Sequence, residues 1–347
     1  MERKITLAHG SGGQLTRELV EHVFVPKLKN DILSRLTDAA ELAVSGSRLM
    51  FTTDSFVIKP LEFPGGDIGK LSVCGTVNDL AVSGARPLWI SCAMIIEEGF
   101  PFERLERIVD SIARTAADAG VAVVCGDTKV VECGASGMGR PDKLGPAGGA
   151  DGLFISTAGI GVPIGDYHAA SIQPGDKILV SGTIGDHEAA IFRVRENLGR
   201  RMELASDCAP LHGLVERMLS AAPGVRVMRD PTRGGVGAVL NELVTGTACS
   251  FTIEDDLIPI RDEVRGICEL VGFDPMYLAN EGKLVCFVAA NQAQALLQAM
   301  RSHPLGANAA IIGEVIADSR ERVYLQSRFG GSRIVTMPTG VQLPRIC

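Results

Sequence analysis

The chain has 347 residues, of which 46% are hydrophobic and 22% charged, and its formal net charge is −7. This length favours two domains, and an aliphatic composition with 40 glycines is typical of sheets covered by helices. The negative charge argues against general nucleic-acid binding. Because no apolar run approaches roughly 18 residues and no signal sequence is recognisable, we expect a cytoplasmic protein without a membrane span.

The first half of the chain alternates between strand and helix patterns after an N-terminal arm. Residues 1–36 form this glycine-rich arm, with an amphipathic helix expected near residues 15–24. The helix at 102–120 is the clearest, because Ile108, Ile112 and Ala116 share one face and Gly120 follows them. The other elements predicted here are strands at 48–58, 87–96, 121–131 and 151–162 and a helix at 67–85.

A loop and a second α/β set complete the predicted architecture. Gly and Pro crowd residues 133–151, which predicts a loop. A polar, turn-rich segment near 163–175 divides an N-terminal domain at 37–165 from a C-terminal domain at 166–336. The elements predicted in the second domain are strands at 176–185, 225–229, 249–254, 283–289 and 309–316 and helices near 186–197, 211–221, 234–245, 261–271 and 291–301.

The chain ends in VQLPRIC, so Cys347 carries a thiol beside the terminal carboxylate. Residues 337–347 contain two prolines and no apolar periodicity, and fully extended they reach roughly 36 Å. We therefore expect a mobile tether that takes no part in the core. The other eight cysteines form no CxxC pair and mostly lie in apolar runs, which is typical of small buried residues rather than disulfides or a zinc site.

Four aspartates lie beside small residues near the ends of predicted strands and helices. They are Asp38, Asp54, Asp79 and Asp127. Magnesium bound to a nucleotide prefers carboxylates together with phosphate oxygens, so a converging set would suit Mg²⁺–ATP. Taken singly, each of these residues is more simply explained as a turn or cap residue.

Two glycine-rich segments could approach phosphate. The segment HGSGG (9–13) leaves its backbone N–H groups uncovered, although terminal glycine clusters are often only flexible. The segment DPTRGGVG (230–237) places Asp230 and Arg233 just before a helix, as a phosphate site or as a cap with an ion pair. The sequence contains neither a P-loop nor a Rossmann glycine motif.

Two further charged residues stand beside apolar strands. Lys129 is either a solvent-facing strand residue or a cation that neutralises phosphate. Glu281, beside Gly282, is either a general base or a polar turn residue. The six histidines show no metal-binding spacing, and of these only His9 lies in a candidate site.

The motifs together resemble one known family. The segments HGSGG, TTDSFVI, NDLAVSGA, GDTKVV, DPTRGG, LANEG and a terminal PRIC follow one another in the order of the HypE hydrogenase maturation proteins, the carbamoyl dehydratases. The resemblance covers essentially the whole chain, although residues 133–151 look longer than the family's link. The glycine and aspartate segments alone would indicate only the wider ATP-using superfamily, which includes aminoimidazole ribonucleotide synthetase and thiamine-monophosphate kinase.

The resemblance implies a fold and an assembly. It implies an α/β (α+β) protein with the two-domain aminoimidazole ribonucleotide synthetase-like fold and a flexible C-terminal tail. The N-terminal domain would form a homodimer through its sheet, and the C-terminal domain would stack on it. ATP would lie in the cleft between the two domains.

The resemblance also gives the terminal cysteine a task. In this family the carbamoyltransferase HypF transfers a carbamoyl group to the thiol. ATP then phosphorylates the carbonyl oxygen, so that phosphate leaves and the amide becomes a thiocyanate. The cyanide passes to iron on the HypC–HypD complex, for a nickel–iron hydrogenase.

Residue roles follow by position from the resemblance. Cys347 would carry the substrate group, Lys129 would stabilise charge on the carbamoyl oxygen or transferred phosphate, and Glu281 would act as general base at nitrogen. The division of catalytic roles among Lys129, Glu281 and Asp79 stays open. The residues implied for Mg²⁺ are Asp38, Asp54, Asp79 and Asp127. The residues implied for ATP are His9, Gly10, Gly12, Gly13, Asp38, Asp54, Asn78, Asp127, Thr128, Asp230 and Arg233.

Two other functions compete with this interpretation. A small-molecule kinase or synthetase of the same superfamily, such as one resembling selenophosphate synthetase or thiamine-monophosphate kinase, needs the same aspartates but gives Cys347 no task. A non-enzymatic scaffold would use the tail as a docking peptide.

Overall fold

A computed structural model describes most of the chain. The described residues are 13–19, 21–22, 35–37, 39–44, 47–132, 152–198, 203–338, 343 and 346–347. Four residues predicted to bind ATP or Mg²⁺, His9, Gly10, Gly12 and Asp38, lie outside them, as does the predicted loop at 133–151.

The N-terminal half is built on one sheet. Its described elements are α1 (Gln14–Leu19), β1 (Ala40–Val44), β2 (Ser47–Phe56), β3 (Glu62–Phe63), β4 (Gly66–Asp67), α2 (Ile68–Val82), β5 (Ala85–Glu97), α3 (Phe102–Asp118), β6 (Ala122–Val131) and β7 (Leu153–Pro163). In this described part, five strands join in the order β1-β2-β7-β5-β6. Only β5 and β6 pair in parallel, and β3 and β4 form a separate hairpin.

Two helices of different character accompany this sheet. Helix α2 is buried along nearly its whole length, and the Asp67 side chain caps it by accepting a hydrogen bond from the Lys70 N–H. Helix α3 buries one stripe that includes Ile108, Ile112 and Ala116, as its periodicity predicts. The apolar residues of both helices meet in one core with those of the sheet.

The C-terminal half is built on a second sheet. Its described elements are β8 (Lys177–Val180), α4 (Asp186–Arg195), α5 (His212–Ala221), β9 (Val225–Arg229), α6 (Gly235–Val244), β10 (Ser250–Glu254), α7 (Asp262–Val271), β11 (Val285–Val288), α8 (Ala293–Arg301), β12 (Ala310–Ile316), β13 (Val323–Gln326) and β14 (Ser332–Val335). The seven described strands join in the order β14-β13-β10-β12-β8-β11-β9.

The second sheet is covered on both faces. Strand β11 shows this directly, since all four of its residues are buried. Val285 and Phe287 belong to one core, with α6, whereas Cys286 and Val288 belong to another, with α5 and α8. This alternation follows from the two-residue period of a strand.

The two halves are joined by contacts between α2 and residues 207–211. The Asn78 side-chain N–H₂ donates to the carbonyl oxygens of Ala209 and Glu281, and its oxygen accepts from the Leu211 N–H at 2.8 Å. One turn earlier on α2, Cys74 hydrogen-bonds with Cys208 and thereby raises the pKa of that buried thiol. These contacts fix the geometry of the cleft.

Most predicted elements are present, with five omissions and one correction. The strands that the sequence pattern does not predict are β1, β3, β4, β13 and β14. Among the described cysteines, all are free and most are buried, but Cys125 is exposed on β6, which corrects its interpretation as a buried residue. No described helix has both the length and the apolar character needed to cross a membrane.

Candidate active site

The C-terminal residues lie in a cleft between the two halves. The Val57 N–H donates to a terminal carboxylate oxygen of Cys347 at 3.0 Å, and Ile346 forms an antiparallel bridge with Ile58, just beyond β2. The Ile346 side chain is buried in the N-terminal core, and Leu343 and Cys347 pack against that core. The prediction that the tail takes no part in the core is therefore wrong for this docked position. Its apolar residues are too few to give a periodic signal.

Arg233 lies at the centre of the charges around the docked thiol. The groups that raise its pKa are Cys347, Asp54, Glu281 and Asp79, in order of decreasing effect. These residues come from the tail, β2, the segment before β11, and α2. The structure therefore brings together five of the predicted site residues in one cleft.

The glycines after Arg233 shape the start of α6. Gly234 and Gly235 both have left-handed backbone conformations, with φ of +81° and +61°. A Cβ atom on Gly235 would lie 2.6 Å from the carbonyl oxygens of both Met276 and Leu278. Only glycine therefore allows this turn, which leads from Arg233 into α6.

Asp54 and Asp79 supply two carboxylates on the N-terminal side. Asp54 is largely enclosed, and burial raises its pKa while Arg233 and the Ser55 N–H oppose the rise. Asp79 accepts a hydrogen bond of 2.8 Å from the Thr52 hydroxyl. No group of three or more potential metal ligands forms among the described residues, so the pair must rely on ligand oxygens to complete a magnesium shell.

Glu281 faces the cleft from the C-terminal side. Its backbone is held by Asp207, which accepts from the N–H groups of Glu281 and Gly282, while its Oε1 atom is buried without a hydrogen-bond partner. Burial raises the pKa of Glu281 well above its usual value, and Cys208 and Asp54 raise it further. The environment therefore favours the protonated form of the side chain, and its Oε1 atom is available to a ligand.

The thiol of Cys347 is not reactive in this position. Burial raises its pKa, and the nearby carboxylates of Glu281 and Asp54 add to the rise, while Arg233 opposes it. A protonated thiol is a poor nucleophile. The docked position therefore suits chemistry on a group that the sulfur already carries, rather than attack by the sulfur itself.

Asn78 bridges the two halves beside the cleft. It is buried, and both ends of its amide bond to backbone groups of the C-terminal half. These three bonds use both N–H donors and one lone pair of the amide oxygen, so the side chain holds the two halves together beside the cleft. Its role in ATP binding stays a prediction.

Asp127, Thr128 and Lys129 lie away from the cleft within one chain. Strand β6, which carries them, is three strands from β2, or about 14 Å at the usual spacing. Cross-strand pairing places Asp54, Thr157, Cys92 and Gly126 in one row, so the next residue, Asp127, points to the opposite face. The prediction that four aspartates converge is therefore not met within a single chain.

These residues on β6 bond to one another instead. The Lys129 ammonium lies 2.6 Å from an Asp127 oxygen, and both side chains are well exposed. The hydrogen bond from Lys129 lowers the pKa of Asp127, and the Thr128 N–H acts in the same direction.

The two remaining described residues of the predicted site lie apart from each other. Asp230 is buried beside Glu281 and contributes to its raised pKa. Gly13 packs closely against Pro338, and the neighbouring Gln14 N–H donates to the Pro338 carbonyl oxygen at 2.8 Å. The arm therefore contacts the base of the tail rather than the charges around Arg233.

Two residues of the cleft were missed from the sequence. His187 contacts the docked tail, and Glu188 beside it accepts a hydrogen bond from the Ala279 N–H. Burial raises the pKa of Glu188 to about 7. Neither residue belongs to a motif, and their partners lie 159 and 91 positions away, so no local signal marks them.

Comparison with known proteins agrees with this architecture. The N-terminal domain model of AIR synthase related proteins matches residues 36–162, and the C-terminal domain model matches residues 173–326. The carbamoyl dehydratase HypE of Rhodobacter capsulatus is 49% identical, with 100% of this chain and 99% of that protein covered. The chain belongs to the HypE carbamoyl dehydratase family.

Solved structures of the HypE family share the fold. A structure described as a HypE–HypF complex matches with a TM-score of 0.83 and 44% identity, covering 92% of this chain and 99% of the other. A HypE structure in complex with ATP matches with a TM-score of 0.79 and 40% identity, covering 99% of this chain and all of the other. The two-domain α/β fold expected from the family resemblance is confirmed.

Proposed function

We propose that this chain dehydrates a carbamoyl group on its own Cys347 to a thiocyanate, using ATP. One observation carries the proposal: the chain end lies docked in the cleft, with its last residue beside Arg233, Glu281 and Asp54. Membership of the HypE family supports the same reaction.

The overall reaction is balanced by one ATP. The carbonyl oxygen of the S-carbamoyl group takes the γ-phosphoryl group, the C–O bond breaks to release phosphate, and the nitrogen loses both protons, which leaves S–C≡N and ADP. Arg233 would stabilise the phosphate charge, as a guanidinium does at transferring phosphoryl groups. Glu281, once ionised, would accept a proton from nitrogen, and its raised pKa makes it a stronger base.

Asp54 and Asp79 are suited to a magnesium ion held with the nucleotide. Magnesium usually takes one or two protein carboxylates and completes its shell with phosphate oxygens and water. These two residues provide that number on the side of the cleft that faces Arg233. When bound, the ion would neutralise charge on the phosphates.

Two competing functions leave parts of the structure without a role. A kinase acting on a small free substrate needs an open cleft, whereas here the chain's own terminus occupies it. A scaffold whose tail serves only as a docking peptide needs neither an Arg233 cluster nor a buried, unpaired Glu281 oxygen. Full-length similarity to HypE proteins also favours the dehydratase over the kinase.

The proposal is tested by mass analysis of the tail peptide. The protein is incubated with carbamoyl phosphate, the HypF-type carbamoyltransferase and Mg–ATP. Carbamoylation should add about 43 Da at Cys347, and dehydration should then remove about 18 Da. As a control, the carbamoylated protein is purified away from nucleotide and incubated again without ATP. It should then remain carbamoylated and form no thiocyanate.

Variants separate the terminal thiol from the other cysteines. Cys347→Ala should form no thiocyanate. A variant extended by a few residues after Cys347 should react more slowly, because the added residues replace the carboxylate that accepts from the Val57 N–H. Cys268→Ala is the matched control, since that buried thiol lies on α7 outside the cleft. Thiocyanate on another cysteine with Cys347 unmodified would refute the proposal.

We also infer a homodimer through the five-stranded sheet. Strand β6 is exposed along nearly its whole length, and apolar side chains on this part of the molecule, including Trp89, Val124 and Val130, remain uncovered in the single chain. An edge strand with such residues favours association. In that dimer, Asp127, Thr128 and Lys129 would serve the cleft of the other subunit, which accounts for their distance from their own.

Mixing two inactive proteins tests this arrangement. Lys129→Ala and Glu281→Gln subunits, unfolded and refolded together, should recover activity at about one quarter of the sites, because half the dimers are mixed and each has one intact composite site. Each variant refolded alone is the control. No recovery, or a monomeric mass in solution, would contradict the arrangement.

The partners follow from the same chemistry. A HypF-type carbamoyltransferase would load the thiol, in keeping with the solved HypE–HypF complex. A HypC–HypD-type iron complex would accept the cyanide. Both steps require Cys347 to leave the cleft, and the tail of residues 337–347 has the length to carry it out. We also propose a cytoplasmic location, as expected from the sequence.

A further inference from the structure

His187 makes an unusual contact for a buried histidine. It lies on α4, is completely buried, and packs edge-on against Phe63 with ring centroids 5.5 Å apart. Its Nε2 atom is 2.5 Å from the carbonyl oxygen of Ile346, the residue before the terminal cysteine. This partner belongs to the tail, whereas the rest of the pocket belongs to the folded domains.

The hydrogen bonds define which nitrogen carries the proton. A carbonyl oxygen can only accept, so Nε2 is the donor to Ile346. Burial lowers the pKa of His187, which leaves the ring neutral and makes Nδ1 an acceptor. The Ser206 hydroxyl lies 2.7 Å from Nδ1 and supplies that hydrogen, while it accepts from the Cys208 N–H at 3.1 Å.

This chain of bonds orients the ring before the tail arrives. The Ser206 N–H is itself held at 2.8 Å by the Pro64 carbonyl oxygen in the β3–β4 turn. Of the two ring nitrogens, Nδ1 is satisfied by the folded domains, and Nε2 is satisfied by the tail. Removal of the tail leaves a buried donor that must find water or remain unpaired, which carries a free-energy penalty.

The contact also defines a register. His187 binds a backbone carbonyl group, so it is indifferent to the side chain at position 346 but sensitive to which carbonyl group arrives. Together with the bond from the Val57 N–H to the Cys347 carboxylate, it fixes the last peptide unit and the carboxylate that follows it. A shift by one residue would break both bonds and move the sulfur away from Arg233.

We propose that His187 is a positioning residue that holds the chain end in register, so that the group on Cys347 meets Arg233 and Glu281. This inference rests on the proposed dehydratase function for its catalytic consequence. Its structural part, the retention of the tail by His187, concerns the protein without any substrate.

Two substitutions divide the functions of the ring. The amide nitrogen of glutamine reaches the place of Nε2, whereas that of asparagine corresponds to Nδ1. His187→Gln should therefore preserve the bond to Ile346, and His187→Asn should lose it. Ser206→Ala leaves the ring in place but removes the partner that orients it.

The first measurement is the alkylation rate of Cys347, followed by peptide mass analysis without ATP or carbamoyl donor. Losing a buried bond worth about 1–3 kcal/mol should raise the rate in His187→Asn by about fivefold or more. His187→Gln should stay within about threefold of the parent, and Ser206→Ala should show a smaller increase than His187→Asn.

The second measurement is single-turnover dehydration of protein already carbamoylated at Cys347. His187→Asn should lower the rate constant at saturating ATP and leave the ATP concentration for half-maximal rate unchanged, with recovery in His187→Gln. Near-ultraviolet circular dichroism shows which variants fold. If His187→Asn does not fold, the alkylation rate of Ser206→Ala is compared with that of the parent protein instead.

The outcomes separate the two proposals. The positioning role would be overturned if folded His187→Asn and His187→Gln showed equal rates of Cys347 alkylation. If His187→Asn does not fold, a parent-like alkylation rate in Ser206→Ala would overturn it. Absence of dehydration in the parent protein would instead remove the proposed function and leave the alkylation result standing.

Discussion

The Ile346 side chain should set how often Cys347 leaves the cleft. It is 6% exposed and lies in the N-terminal core. At about 0.8 kcal/mol for each buried carbon, Ile346→Val removes about 0.8 kcal/mol of docking free energy and Ile346→Ala about 2.4 kcal/mol. These values correspond to about fourfold and about 60-fold increases in the undocked fraction.

Alkylation of Cys347 measures that fraction. When docking and undocking are fast, the rate is the undocked fraction multiplied by the intrinsic rate, which the free peptide VQLPRIC provides. The parent, Val and Ala proteins should rank in that order, and no rate should exceed that of the peptide. Both substitutions lie at the chain end, so the thermal unfolding of the domains should change little.

A specific result would refute this reasoning. If the Ala variant reacts at the parent rate while the peptide reacts much faster, the side chain does not hold the tail, and the backbone bonds from Val57 and His187 carry the docking alone. If all proteins react at the peptide rate, the docked state is a minor one in solution.

Three further predictions concern the carboxylates. Glu281→Gln should slow dehydration by roughly 100-fold or more but leave Cys347 carbamoylation unchanged, because the variant keeps the shape of the side chain and loses the base. Since the cleft raises the pKa of Glu281 and so disfavours its charged form, the urea midpoint should not fall; a large loss of stability would contradict this reasoning. Asp54→Asn should weaken Mg–ATP binding at least about tenfold by equilibrium dialysis, and Asp118→Asn, on the exposed face of α3, should not. For Glu188, the folded protein holds the proton more tightly than the unfolded chain, so the free energy of unfolding falls as pH rises from about 4.5 and levels off above about 7. The fall in the free energy of unfolding is roughly 3 kcal/mol, at 1.36 kcal/mol per pH unit. In urea titrations at pH 5 and 8, Glu188→Gln should remove this pH dependence. If the variant and the parent protein lose equal stability between these pH values, Glu188 is not its source.

The fold was largely predictable because its strongest elements carry local patterns. Helix α3 follows from its apolar stripe, and β11 follows from a short run of buried residues. Strands β13 and β14 were missed because each has only four residues and is stabilised by pairing with a neighbour rather than by its own composition. Pairing of this kind is set by tertiary structure, which a local pattern does not contain.

The cleft was predicted in part for a similar reason. Arg233 and Glu281 lie beside glycines that a tight turn requires, so their segments stand out in the sequence. The roles of Asn78 and Lys129 could not be assigned in the same way. From sequence alone, an amide that joins two domains and a lysine on an exposed edge strand cannot be told from ligand-binding residues. His187 gives no sequence signal, since its function depends on a carbonyl group at the far end of the chain.

The pairing of Ile58 with Ile346 has a consequence for biosynthesis. The two residues are 288 positions apart (346 minus 58). At synthesis rates of about 5–20 residues per second, roughly 15–60 s separate their appearance. Because N-terminal domains generally fold first during synthesis, this domain would fold around a strand end that gains its partner only after Ile346 has been made. A chain that stops before Ile346 keeps that strand end open to other polypeptides.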